Sequence, residues 1–155
     1  MSLFAAPLPQ MEGVSDARRR IMRAVRSKDT KPERLLRSLL HREGYRFRLH
    51  CRNLPGTPDI VFPGRMSVIE VRGCFFHAHE GCSRATLPVT RRDWWAAKFA
   101  RNKRRDCANE EALGQLGWRL FVCWECDLRN AAATMSHVRR FLGPPKLAVK
   151  VKGGC

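Results

Sequence analysis

The stretch Thr57-Pro-Asp-Ile-Val-Phe-Pro-Gly-Arg-Met-Ser-Val-Ile-Glu-Val-Arg72 decides the fold of this chain of 155 residues. It contains two runs rich in β-branched and apolar residues, Asp59–Phe62 and Met66–Val71, separated by the turn-forming pair Pro63-Gly64. Such runs around a short turn predict two neighbouring strands of one sheet. We therefore expect a sheet at the centre of the fold.

The segments on either side of this pair alternate between helical and extended patterns. Ser15 begins one helical pattern, and a second pattern, capped by Asp29-Thr30 with Pro32 in its first turn, runs to Gly44. Helices around a mixed central sheet are the simplest arrangement, so the predicted fold class is α/β. The other predicted elements are a strand at 45–50, a basic helix from 91 to about 114, a buried apolar strand at 118–124 and a helix at 131–141.

The domain organisation follows from where these patterns begin and end. We expect residues 1–14 to form a flexible leader, residues 15–142 to form one folded domain, and residues 143–155 to form a basic disordered tail. The tryptophans expected in the core are Trp118, Trp124 and one member of the pair Trp94 and Trp95.

The composition points to a polyanionic partner. Thirty Lys and Arg against 14 Asp and Glu give a formal net charge of +16, which favours nucleic acid but also fits a ribosomal protein, an RNA chaperone or a membrane-surface binder. No apolar run approaches the ~20 residues of a membrane span. An odd number of cysteines, seven, and an N-terminus unlike a secretory signal favour a cytosolic protein over a disulfide framework.

Asp59, Glu70 and Arg72 form a candidate site for phosphodiester cleavage. Strand pairing would bring Asp59 near Glu70, and the period of two places Glu70 and Arg72 on one face. Two carboxylates supply the oxygen ligands that Mg²⁺ prefers, although such charges also occur as solvated strand ends. Glu70 lies in an otherwise apolar strand, where an unpaired carboxylate is costly to bury. His77 is either a general base for water or a packed histidine beside two phenylalanines.

The spacing Cys74-x4-His79-x2-Cys82 is typical of a zinc site. The fourth ligand would be Cys123 or Cys126, and four protein ligands would make the zinc structural. The alternative is a group of small apolar thiols beside an exposed histidine.

Aromatic residues lie close to basic ones in the second half of the chain. Phe75-Phe76 and Trp94-Trp95 accompany the basic stretch Lys98–Arg105. Cations of this kind bind phosphates, and aromatic wedges enter between base steps and kink a duplex. The alternative is that Trp95 and Phe99, four residues apart, are the core face of a helix.

Taken together, these residues resemble the very-short-patch repair (Vsr) DNA mismatch endonucleases, a branch of the PD-(D/E)xK nuclease superfamily. Eight matching stretches occur in the family's order between residues 18 and 127. They are Met22-Arg-Ala24, Ser27-Lys-Asp-Thr-Lys-Pro-Glu33, Leu54-Pro-Gly-Thr-Pro-Asp-Ile-Val-Phe62, Gly73-Cys-Phe-Phe-His77, His79-x2-Cys82, Trp95-x2-Lys98, Arg101-Asn-x2-Arg105-Asp106, and Gly117-Trp118 leading into Trp124-Glu-Cys126.

The resemblance implies a restriction-endonuclease-like fold with a structural zinc site. It implies Mg²⁺-dependent nicking of one strand beside a T·G mismatch in double-stranded DNA, the product of 5-methylcytosine deamination. We expect a cytoplasmic, nucleoid-associated enzyme that acts as a monomer, with mismatch-repair proteins as candidate partners.

The resemblance also assigns roles by position. Asp59 would bind Mg²⁺ together with the backbone carbonyl of Val71, Glu33 would support the metal and its water, and His77 would be the general base. The zinc ligands would be Cys74, His79, Cys82 and Cys126, and the wedge into the base stack would be Phe75, Phe76 and Trp95. From the charge of the basic helix itself we expect further DNA contacts at Lys98, Arg101 and Arg105.

Three positions depart from the family's pattern. Arg72 stands where family members commonly carry a histidine or an acid, at the place of the superfamily's lysine, and Phe76 replaces the usual tryptophan. Glu70 fills an acidic position that the best-known Vsr enzymes leave apolar, and we expect it to bind Mg²⁺ directly. Two rival functions stay open: a restriction-type endonuclease that uses Asp59, Glu70 and Arg72 on unmodified duplex, and a zinc-stabilised DNA-binding module without catalysis.

Overall fold

The structure is a computed structural model that describes residues 13, 15–17, 19, 20 and 28–146. Between Lys31 and Leu142 the chain forms a four-stranded sheet and three α-helices. Most of the predicted leader and most of the predicted first helix lie outside the described residues. None of the described helices is long and apolar enough to cross a membrane.

The sheet is mixed, which confirms the predicted α/β class. Its strands are β1 (Arg48–Leu49), β2 (Ile60–Phe62), β3 (Ser67–Arg72) and β4 (Arg119–Trp124), and they lie in sequence order across the sheet. β1 pairs antiparallel with β2, β2 antiparallel with β3, and β3 parallel with β4.

The stretch from Thr57 to Arg72 forms the predicted pair of strands. A short 3₁₀ turn, Pro63–Arg65, joins β2 to β3, and Met66 adopts the left-handed backbone region with φ 47°. Ile60 lies opposite Ile69 in the resulting register. Alternating side chains from this pair therefore supply both faces of the sheet.

Three helices in the part between Lys31 and Leu142 surround the sheet: α1 (Lys31–Arg42), α2 (Arg92–Gln115) and α3 (Ala131–Leu142). Thr30 caps α1 and Pro32 lies in its first turn, as predicted, and Asn130 caps α3 by accepting a hydrogen bond from the Ala133 N–H. The bounds of α2 and α3 agree with the predicted ones to within a residue or two.

Two apolar clusters pack on the two faces of the sheet. Ile60 and Ile69 belong to the larger cluster, which also contains residues of α1 and α3. Val61 and Val68, which alternate with them, pack with Leu113 of α2 in the second cluster. The long basic helix is therefore held against the same face of the sheet as Val61 and Val68.

The first strand is shorter than predicted. The chain was expected to be extended from residue 45, but Tyr45 is buried and its hydroxyl donates a hydrogen bond to the Gly143 carbonyl at 2.6 Å. Its ring also packs edge-on against Phe62. Because Tyr45 fills the core and reaches the end of α3, the β1 ladder begins only at Arg48.

β4 is also less buried than predicted. It lies at the edge of the sheet, and only Cys123 of its six residues is buried. Trp118 is partly buried against the second cluster, whereas Trp124 stacks on His79 at the sheet edge, so its prediction as a core residue was wrong. Of the other two tryptophans, Trp94 is the buried one.

The first residues of the predicted tail are held against the domain. Arg65 donates hydrogen bonds to the carbonyls of Leu142 and Pro144, in addition to the Tyr45 bond to Gly143. The ordered domain therefore continues past residue 142, and residues 147–155 lie outside the described part of the chain.

We predict that Leu113→Ala lowers the free energy of unfolding by about 2–5 kcal/mol, because Leu113 is fully buried where α2 meets the sheet. Leu116→Ala is the matched control, since Leu116 is 56% exposed and should change stability by less than about 0.5 kcal/mol. Urea unfolding of both variants measures the difference. Equal losses would show that α2 is not anchored through Leu113.

Candidate active site and metal centre

A cleft of about 880 Å³ opens between α2, the start of α1 and the ends of β2 and β3. Asp59, Glu70 and Arg72 share the face of the sheet that bears Val61 and Val68, because they follow the same period of two, whereas the Val71 side chain packs with the larger cluster on the other face. The predicted site residues that line the cleft are Glu33, Asp59, Glu70, Val71, Phe76, His77, Lys98 and Arg105, together with Arg72.

Asp59 is half-buried just before the first residue of β2. Its Oδ2 accepts a hydrogen bond from the Val71 N–H at 2.8 Å. Burial raises the pKa of Asp59 to about 7 against the effect of that hydrogen bond, and the neighbouring Glu33 and Glu70 carboxylates raise it further. A bound cation would relieve this repulsion, so the donor set suits a hard divalent metal.

Glu70 lies beside Asp59 as the strand pairing predicted, but it is also tied to Arg72. Arg72 donates from Nε and Nη2 to one oxygen, Oε2 of Glu70, at 3.0 and 2.7 Å. Arg72 also reaches Glu110 of α2 at 2.8 Å and is itself buried. Arg72 therefore links β3 to α2, and the sequence analysis had not identified Glu110 as its partner.

Glu33 enters the cleft from the first turn of α1. Its backbone N–H and its Oε1 both contact the Thr30 hydroxyl, and its Oε2 accepts a hydrogen bond from the Asp29 N–H. This reciprocal capping leaves Glu33 only 3% exposed. Thr30 thus fixes an acid at the cleft by the same contacts that begin the helix.

His77 is paired with Asp106, which belongs to one of the matching stretches but had been given no role from the sequence. Its Nδ1 lies 2.6 Å from Oδ2 of Asp106 on α2, and both side chains are largely buried. A carboxylate at Nδ1 holds the proton there and leaves Nε2 to accept another. Asp106 lies seven residues, or two helical turns, from both Phe99 and Leu113, which places it on the buried face of α2. An acid on the buried face of a basic helix is the feature of the sequence that could have predicted its role.

The Cys-His cluster comes together beside the cleft. Cys74, His79, Cys82 and Cys126 offer ligand atoms that all lie within 4.8 Å of one another. Cys123, the alternative fourth ligand, is buried in the main core instead. Tetrahedral zinc with bonds of about 2.0–2.3 Å places its ligand atoms roughly 3.5–3.8 Å apart, so these four residues fit that ion.

Trp124 lies between the cluster and the cleft. Its ring stacks on the His79 imidazole at 4.0 Å and 6°, and meets His77 edge-on at 6.5 Å. The Sγ of Cys126 lies 3.4 Å from His79 Nδ1, so Nδ1 is the ring nitrogen turned toward that thiol. Trp124 therefore orients a candidate zinc ligand and also contacts the candidate base.

The predicted wedge residues form one aromatic cluster. Phe75 is at its centre, with ring centroids 5.2 Å from Phe76, 5.0 Å from Trp95 and 5.3 Å from Phe99. Phe99 is buried, whereas the other three rings are half-buried. Lys98 lies over Trp94 and lines the cleft with Arg105; Arg101 is exposed on the same helix but does not line the cleft.

Comparison with known proteins identifies the family. A family model described as DNA mismatch endonuclease Vsr matches residues 14–84. The chain is 50% identical over 129 residues to type II nicking enzyme V.XorIIP of Xanthomonas oryzae pv. oryzae, covering 83% of this chain and 94% of that relative. It is 36% identical over 129 residues to type II nicking enzyme V.NmeAIP of Neisseria meningitidis, covering 83% and 91%.

A third relative carries the family's own name. DNA mismatch endonuclease Vsr of Escherichia coli is 41% identical over 109 residues, which cover 70% of this chain and 69% of the relative. These matches confirm the resemblance seen in the motifs: the chain belongs to the Vsr family of DNA mismatch endonucleases and is a hydrolase that cuts DNA.

Proposed function

We propose that this enzyme nicks one strand of double-stranded DNA beside a T·G mismatch, in a reaction that requires Mg²⁺. The observation that carries the proposal is the His77–Asp106 pair at 2.6 Å in the same cleft as the half-buried acid Asp59. A base held by a carboxylate, next to a site that favours a divalent cation, is the arrangement that phosphodiester hydrolysis requires.

The metal would be held by Asp59, by the backbone carbonyl of Val71 and by Glu70, with Glu33 supporting the metal and its water. Because Arg72 occupies one oxygen of Glu70, the other oxygen is the one available to the metal. Bound Mg²⁺ would supply positive charge against the charge that develops on the scissile phosphate.

His77 performs the proton transfer in this proposal. Asp106 holds Nδ1 protonated, so Nε2 takes a proton from the attacking water and the resulting imidazolium is stabilised by the carboxylate. Lys98, Arg101 and Arg105 of α2 would bind phosphates and hold the duplex across the cleft.

Mismatch preference would come from the aromatic cluster. A T·G mismatch costs less free energy to unstack than a Watson–Crick base pair, so inserting Phe75, Phe76 and Trp95 into the stack would favour mismatched DNA. The mismatch endonuclease named among the relatives supports this reading, whereas the relatives named as nicking enzymes support the cutting of one strand.

The cellular setting follows from the same proposal. We propose that residues 15–142, extended by the ordered Gly143–Lys146, act as a monomeric domain on the nucleoid in the cytoplasm. The basic residues after 146 would add only non-specific affinity for DNA. Mismatch-repair proteins are the candidate partners.

We expect a labelled duplex with one T·G mismatch to be nicked in one strand when Mg²⁺ is present, and to stay intact with EDTA. Identical duplexes with T·A or C·G at that position serve as controls, each tested in several flanking contexts. Equal cutting of paired duplexes would favour the restriction-type rival. Binding to the mismatch with no nicking at any Mg²⁺ concentration would favour the non-catalytic rival.

His77→Ala and Asp106→Asn should each slow single-turnover nicking by about 10²–10⁴-fold, because the first removes the base and the second removes its orienting carboxylate. Asp93→Asn is the matched control, since Asp93 is an exposed acid in the first turn of the same helix. DNA affinity should stay unchanged in all three variants. Normal nicking by His77→Ala would exclude His77 as the base.

We propose a structural zinc ion at Cys74, His79, Cys82 and Cys126, because their spacing fits its tetrahedral geometry. Metal analysis should find about one zinc per chain, and Cys74→Ser or Cys126→Ser should lower both this content and the thermal stability. Cys107→Ser is the control, since Cys107 is exposed on α2. A folded protein without zinc would contradict the assignment.

A further inference from the structure

A histidine that the catalytic scheme does not use lies directly behind Asp59. The backbone N–H of His50 donates to the Asp59 carbonyl at 3.3 Å, one step beyond the last paired residues of β1 and β2. Its side-chain Nδ1 lies 3.9 Å from Asp59 Oδ1, and the imidazole is only 17% exposed. His50 also has φ 46°, a left-handed conformation that costs energy and that tightly packed surroundings must maintain.

Arg37 of α1 fixes the orientation of this imidazole. Its Nη1 donates to Asp29 Oδ1 at 2.6 Å, while its Nη2 donates to Glu33 Oε2 at 2.8 Å and lies 3.2 Å from His50 Nε2. A guanidinium has no lone pair to offer, so Nε2 of His50 must be the acceptor. The proton of the neutral imidazole is therefore on Nδ1, the nitrogen that faces Asp59.

The Asp29, Glu33 and His50 side chains lie close enough together to suggest a second metal site. The Arg37 guanidinium already contacts all three, and it is largely buried among them. Arg37 therefore supplies the positive charge that a metal ion would otherwise provide. The group is better described as a support for Asp59 than as a metal centre.

The two oxygens of Asp59 consequently meet N–H groups on different sides. The Val71 N–H donates to Oδ2 at 2.8 Å, whereas Nδ1 of His50 faces Oδ1 at 3.9 Å, an electrostatic contact longer than a hydrogen bond. Each carboxylate oxygen has a second lone pair, so both contacts leave acceptor positions for a cation. Partners of this kind set the rotation of a ligand and commonly change metal affinity by about 10–100-fold.

We infer that Arg37 and His50 are positioning residues for the Asp59 carboxylate, acting as a relay from α1 to the divalent-metal site. This inference rests on the metal site of the proposed function and adds two residues to it. Neither residue touches DNA or the scissile phosphate in this scheme. Their effect is on how well Asp59 is oriented for the metal.

The test measures Mn²⁺ binding directly, by the electron paramagnetic resonance signal of free Mn²⁺, on the full-length zinc-loaded protein with and without a duplex. Asp59→Ala defines the site. His50→Leu and Arg37→Met should each weaken Mn²⁺ binding by about tenfold or more. Arg42→Met is the matched control, since Arg42 is an exposed arginine at the far end of α1 and should bind Mn²⁺ like wild type.

His50→Gln separates positioning from general stability. Its amide can accept from Arg37 and donate to Asp59, so Mn²⁺ affinity should return to within about twofold of wild type. Thermal unfolding and DNA affinity, measured in parallel, should be similar for the Leu and Gln variants. The His50 pair keeps the test decisive even if Arg37→Met does not fold.

Three results would overturn the inference: unchanged Mn²⁺ affinity in His50→Leu, equal weakening in the Leu and Gln variants, or Mn²⁺ binding that does not depend on Asp59. A wild-type protein that binds Mn²⁺ through Asp59, shows the expected variant series and still nicks no T·G duplex would support the relay. That last result would refute only the proposed function.

Discussion

The antiparallel pairing of β2 with β3 is the interaction on which the rest of the structure depends. Its register places Ile60 opposite Ile69 on one face of the sheet. The same alternation turns the Asp59 side chain to the other face, where it accepts a hydrogen bond from the backbone N–H of Val71. A shift by one residue would turn every side chain of one strand to the other face. The apolar core and the acidic cleft are therefore set by a single choice of register.

The helix α2 completes the cleft because its buried face is not wholly apolar. Phe99 and Leu113 pack it against the domain, and Asp106 between them meets His77. Glu110, one turn further along the helix, meets Arg72 from the sheet. The helix thus contributes packing and chemistry from one stripe, while its other faces carry exposed basic side chains.

Local patterns predicted the elements well, whereas contacts between distant segments were mostly missed. The hairpin, the cap at Thr30 and the Cys-His spacing are short-range features, so the sequence alone revealed them. Asp106 is 29 residues from His77, and Arg37 and His50 meet only when α1 packs beside β1. Such pairs depend on how distant segments pack together, and the periodicity of the sequence does not predict them. Trp124 was misplaced for the same reason, since its stacking partner lies in a loop.

The position of Trp124 has a consequence for how this enzyme can diverge. One indole forms a wall shared by the Cys-His cluster and the candidate base. A substitution of Trp124 would change the surroundings of both the Cys-His cluster and His77. A substitution of His79 would shift the Trp124 ring and so alter the packing around His77. The two centres are therefore expected to evolve as a unit, with coordinated replacements across descendants instead of independent drift.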